Sequence, residues 1–123
     1  MKLAHIEKSL GMKLPERHKQ AMLDAGDKVH AACDFLLPWH TGKMRGIVEE
    51  NESLHGTDNY DPWPLYLVAF ASNGCGDFFA YDLRTEGHSV IYIDPDCTVQ
   101  ENLQSDDKLT FATFQDWYDH EVA

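Results

Sequence analysis

Seven histidines (His5, His18, His30, His40, His55, His88 and His120) are the first residues to test for chemistry, because neutral imidazoles ligate metals and move protons near neutral pH. None forms an H-E-x-x-H or H-x-H pattern, and no two share an expected helix four residues apart, so no metal site is expected. Cys33, Cys75 and Cys97 are odd in number and lack C-x-x-C spacing, which argues against both a disulfide framework and a zinc knuckle. They are expected to be reduced thiols packed as small apolar groups. Cys75 as a nucleophile would need nearby cations or a helix N-terminus to hold a thiolate, and its neighbour is Asp77, with strands expected on both sides. The run Asn73-Gly74-Cys75-Gly76-Asp77 lacks the lysine and the strand-to-helix context of a phosphate loop. Its glycines suit a chain reversal, with Asp77 expected to bond turn amides. Asp94-Pro95-Asp96 reads as a turn at a strand end rather than a catalytic carboxylate pair. No catalytic residue and no cofactor is expected.

What remains is charge and aromatic surface. The chain of 123 residues carries 10 Lys+Arg against 21 Asp+Glu, a formal charge of −11. Residues 1–28 hold six basic and four acidic groups, or +2, and residues 29–123 hold four and seventeen, or −13. The acidity belongs to the body of the protein. Such a chain is repelled by phosphate backbones and anionic lipid, so nucleic acid and membrane are excluded as first partners. Plain solubility accounts for the charge, and so does a surface for a basic partner. Trp39 and Trp63 lie beside prolines outside the periodic runs, where each either covers the core edge or forms an exposed anchor among acids.

The elements that must position these residues follow from periodicity. Leu3, Ile6 and Leu10 recur at helical spacing before Gly11, and Pro15 is expected at the first position of a second helix with Leu14, His18, Ala21, Met22 and Ala25 on one face. Val29 to Leu37 suits a strand or a helix, with extended structure favoured for 34–37. Thr41 is expected to cap a third helix running to about Leu54 that buries Met44, Ile47, Val48, Asn51 and Leu54 and exposes Glu49, Glu50 and Glu52. A loop then spans 55–64. Leu65 to Ala71 is apolar at both parities, as in a central strand covered on both faces, and it pairs as a hairpin with Phe78 to Leu83. Val90 to Ile93 is a third strand, Val99 to Leu103 a weak fourth, and Thr113 with Asp116 opens a closing helix that buries Phe114, Trp117, Tyr118 and Val122. The expected fold class is α+β: a mostly antiparallel meander flanked by N-terminal helices, a middle helix and a C-terminal helix, as one domain over residues 1–123.

Size supports one core, since a chain of this length can bury about two-thirds of its surface. The longest strongly apolar run, Leu65 to Ala71, is far short of a membrane span, and the N-terminus lacks an apolar signal region, so a cytoplasmic location is expected.

The order of motifs resembles the SUKH superfamily, the group named for yeast cell-wall assembly regulators and bacterial immunity proteins. The matching pieces are Ile6 to Leu10, Leu14-Pro15-Glu16, Trp63-Pro64 leading to Ala69-Phe70-Ala71-Ser72, and Gly74-Cys75-Gly76-Asp77-Phe78-Phe79 with Tyr81-Asp82-Leu83. Val90-Ile91-Tyr92-Ile93-Asp94 follows, and Phe111 to Trp117 is similar to the closing helix of that group. Ala112 and Thr113 depart from the usual serine context, and residues 28–55 match loosely. The resemblance implies an α+β fold without a catalytic constellation. For bacterial members it implies immunity proteins that bind and neutralise toxins, often nucleases.

The expectation is therefore a non-enzymatic binding protein with a protein partner, a basic toxin domain first among candidates. The alternatives are a regulatory interaction module with a housekeeping partner and, behind it, a small hydrolase or metalloprotein. Candidate contacts are Asp58, Asp61, Trp63, Asp77, Asp94 and Asp96 at the loop ends of the meander, with Trp39, Glu49, Glu50 and Glu52 as a second patch.

Overall fold

The computed structural model describes residues 3–25, 34–35, 46–57, 59–72 and 77–121. Helix α1 (Leu3–Leu10) presents Ile6 to the core and ends at Gly11, whose φ of 75° is open to glycine at little cost. Helix α2 (Glu16–Ala25) begins one residue later than the sequence suggests. Pro15 stands just before it and its carbonyl accepts the Lys19 N–H at 3.0 Å. The expected face is buried at Leu14, His18, Ala21 and Met22.

Strands β1 (Asp34–Phe35), β2 (Leu67–Ser72), β3 (Phe78–Asp82), β4 (Ser89–Ile93) and β5 (Thr110–Phe111) form one sheet in that order, and every neighbouring pair is antiparallel. The result is the α+β meander, with β5 an additional short edge. Every residue of β2 is buried, as both-parity apolar sequence requires of a strand covered on two faces. Leu65 is not part of it. The Pro64 carbonyl accepts the Leu67 N–H at 3.1 Å, closing a turn that leaves Leu65 exposed.

Helix α3 (Ile47–His55) starts well after Thr41, because Gly46 adopts an extended conformation (φ −71°, ψ 165°) and serves as the N-cap. Glu49 and Glu50 then fall in the first turn, where the helix dipole favours acids. Buried Asn51 ties α3 to the sheet: its amide donates to the carbonyls of Ile47 and Ala69 and its oxygen accepts the Ala69 N–H, each at 2.8 Å. Val99 to Leu103 is not a strand but lies within helix α4 (Val99–Gln104). Thr98 Oγ1 accepts the Glu101 N–H, and the Glu101 carboxylate accepts the Thr98 N–H, a reciprocal box that outweighs the β-branched Val99. Helix α5 (Phe114–Glu121) is capped as expected by Thr113 Oγ1, which accepts the Asp116 N–H at 3.1 Å.

The core is aromatic on one side of the sheet. Register slips between Ala69 and Ala71, leaving Phe70 as the extra residue of a bulge, and its ring stacks on Tyr81 at 4.5 Å and meets Trp117 edge-on at 4.8 Å. His18 from α2 stacks on Phe114 at 4.7 Å, so α2 and α5 close this face. The opposite face carries Phe78 paired with Ile93, and Trp63 meets Phe78 edge-on at 5.6 Å. The expected positions Trp39, Thr41, Met44, Asp58, the 73–76 turn, Cys33, Cys75 and Val122 lie outside the described residues.

Candidate functional site

At the end of the sheet where β3 begins and β4 ends, two loops meet. The first, 59–63, is shaped by Asn59, whose amide donates to the Leu54 carbonyl at 2.8 Å while its oxygen accepts the Asp61 N–H at 3.1 Å. The Trp63 N–H also returns to the Leu54 carbonyl, at 2.9 Å. The second loop, 94–98, turns on Asp94, whose Oδ1 accepts the Asp96 N–H at 2.9 Å, so the Asp-Pro-Asp run is the turn its composition implies. Buried Asn102 holds that loop from α4. Its oxygen accepts the Asp94 N–H at 2.9 Å, and its amide donates to the carbonyls of Asp94 and Thr98. Asp61 Oδ2 fastens the loops together by accepting the Val99 N–H at 2.7 Å.

Between the loops lies a depression of about 260 Å³ with Asp61, Trp63 and Asp94 among its lining residues. Trp63 is only 6 % exposed, so of its two readings the core-edge role holds and it forms floor rather than a projecting anchor. The projecting aromatic is Tyr60, fully exposed at the mouth. Asp96, two residues after Asp94, is exposed, whereas Asp94 and Asp61 are half-buried.

Asp77 is 3 % exposed and plays another part. Rather than bonding turn amides, its Oδ2 accepts the Tyr92 hydroxyl across the β3–β4 ladder at 2.5 Å. The Tyr92 hydroxyl is pushed well above the usual phenol range, first by that carboxylate hydrogen bond, then by burial, then by the negative charges of Asp77, Asp94 and Asp96. Cys97 is exposed, not packed in the core, because it follows the Asp94 turn; partial desolvation and the charges of Asp94, Glu101 and Asp96 raise its thiol. A raised thiol is less nucleophilic at neutral pH.

The second patch stands apart from the depression. Glu49 and Glu52 are exposed and Glu50 half-buried on α3. Glu52 borders a different groove of about 470 Å³ between α1 and α3, with Lys8, Val48 and His55. The expected contacts therefore divide into Asp61, Trp63 and Asp94 at the depression, with Asp96 exposed in the same loop, a buried Asp77 bonded to Tyr92, and a separate helical group. Sequence reasoning missed Tyr60, Asn59 and Asn102. Tyr60 carried a usable signal, since an aromatic in a turn-forming Asn-Tyr-Asp run has no periodic partner to bury it. Asn102 carried one in the Thr-x-x-Glu box that places it on a helix.

Among the described residues, no three His, Cys, Asp or Glu side chains stand together to hold a metal ion, and no helix is long and apolar enough to cross a membrane. The arrangement offers a pre-formed, negatively charged, aromatic-lined surface. No curated protein and no solved structure matches the chain. Residues 2–120 match one protein family, with the α1–α2 entry, the β2–β3 hairpin and the α5 close all inside the matched span. The chain belongs to the SMI1/KNR4 family (SUKH-1).

Proposed function

We propose that the protein is a non-catalytic, cytoplasmic binding protein that captures a basic protein partner on its acidic loop end, and that the partner is a toxin domain which it neutralises. The observation that carries this reading is the convergence of Asp61 and Asp94 with exposed Tyr60 around one depression, with exposed Asp96 two residues on in the same loop, in a family whose resemblance suggests partner binding. Toxin domains that act on nucleic acid are basic because they bind phosphates. An acidic end is suited to dock on such a cleft and block it. Complementary charge speeds encounter and fixes register, while buried aromatic contacts supply most of the affinity. The two loops are held by side-chain hydrogen bonds from Asn59, Asp61 and Asn102, which lowers the ordering cost of binding.

The test is co-expression with a toxin encoded beside the gene. Rescue of growth and a complex stable in gel filtration are expected. Unchanged killing with no complex overturns the toxin reading, and a pull-down that returns a housekeeping protein instead favours a regulatory module.

A further inference from the structure

We infer that the depression between the 59–63 and 94–99 loops receives the side chain of an arginine or lysine from a protein partner, with its methylene stem on the floor and its cationic head at the rim. The inference rests on reading this end as a docking surface and adds the chemistry of what enters.

The floor is apolar, formed by Leu54, Trp63, Phe78, Ile93 and Val99. The rim is acidic. Asp61 spends Oδ2 on the Val99 N–H and Asp94 spends Oδ1 on the Asp96 N–H, so each keeps a second oxygen for an incoming donor. An apolar side chain would cover the floor but bring no donor to those carboxylates. An acidic one would be repelled by Asp61 and Asp94 and by the nearby Asp96. At the start of α4, two of the N–H groups that an anion would use, those of Val99 and Glu101, already donate to Asp61 and Thr98. Long basic side chains join an apolar stem to a charged head, and the aromatic rings of Trp63 and Tyr60 attract cations. Chain-wide charge points the same way, at −11 overall and −13 for residues 29–123.

The test is an amide NMR titration of the whole protein with N-acetyl-arginine amide, against its uncharged near-isostere N-acetyl-citrulline amide. Saturable shifts confined to residues 60–63 and 93–99 and the Trp63 indole are expected with arginine, and binding about tenfold or more weaker with citrulline. Asp94→Asn, with an unchanged circular dichroism spectrum, is expected to weaken arginine to a similar degree. Equal binding of citrulline overturns the inference, as do unsaturable shifts spread over Glu49 and Glu52. If arginine fails to seat while a toxin complex forms, this inference falls and the docking function stands. If arginine seats but no toxin is captured, the toxin reading falls and the chemistry of the depression stands.

Discussion

Replacing His18 by phenylalanine is expected to remove most of the acid sensitivity of the fold between pH 7.5 and 5.0. His18 is fully buried, stacked on Phe114 and hydrogen-bonded at 2.7 Å to the Tyr81 hydroxyl. Burial pushes its pKa down from 6.5 to about 3, since a charged imidazolium would lose its hydration among aromatic rings. The unfolded chain therefore binds a proton that the folded chain refuses, and stability falls as pH drops from 6.5 toward 3. At about 1.4 kcal/mol per pH unit over the ~1.5 units below 6.5, the loss at pH 5.0 is about 2 kcal/mol. With a urea slope of about 2 kcal/mol per molar, the wild-type midpoint drops by about 1 M more than that of the variant. His18→Phe also loses the bond to Tyr81, which lowers stability at both pH values alike, so the quantity to read is the difference in slope. Equal pH dependence in the two proteins, or an NMR titration of native His18 near 6.5, refutes the reasoning.

Asn51→Ala removes three buried hydrogen bonds and orphans the Ala69 N–H and carbonyl inside β2, so a destabilisation of about 3 kcal/mol is expected by urea denaturation. Thr98→Ala breaks the reciprocal cap of α4 and is expected to cost about 1 kcal/mol, with faster amide exchange confined to the 98–104 segment. Tyr60→Ala is expected to leave the unfolding free energy within about 0.5 kcal/mol of wild type and to weaken partner binding, whereas Trp63→Ala empties core volume and lowers stability by about 3 kcal/mol. Calorimetric melts read beside a pull-down separate those two roles.

Much of the fold was legible because its strongest elements carry long, consistent patterns. β2 reads as buried on both faces and is, and α5 opens with Thr113 and buries Phe114 and Trp117. Misreadings arose where a short local device outweighed periodicity. Val99 and Leu103 look like strand residues until the Thr98–Glu101 box is weighed, and a helix from Thr41 looks continuous until Gly46 breaks it in extended conformation. The candidate site was half legible. Acid content located the loop end, but a composition argument cannot tell a carboxylate facing solvent from one consumed in the fold. Asp77 bonds Tyr92 across a ladder whose register only the folded sheet sets, and Tyr60 rather than Trp63 projects because the Leu54 and Asn59 hydrogen bonds fix how that loop turns.

The most direct test of the proposed docking face is the association rate with a basic toxin domain, compared between wild type, a loop-end charge reversal (Asp94→Lys with Asp96→Lys) and an α3 charge reversal (Glu49→Lys with Glu52→Lys). The loop-end variant is expected to associate about tenfold or more slowly at low ionic strength, with the gap closing as salt rises, and the α3 variant to stay close to wild type. Equal rates for all three proteins, or a loss confined to the α3 variant, would contradict the acidic loop end as the binding face.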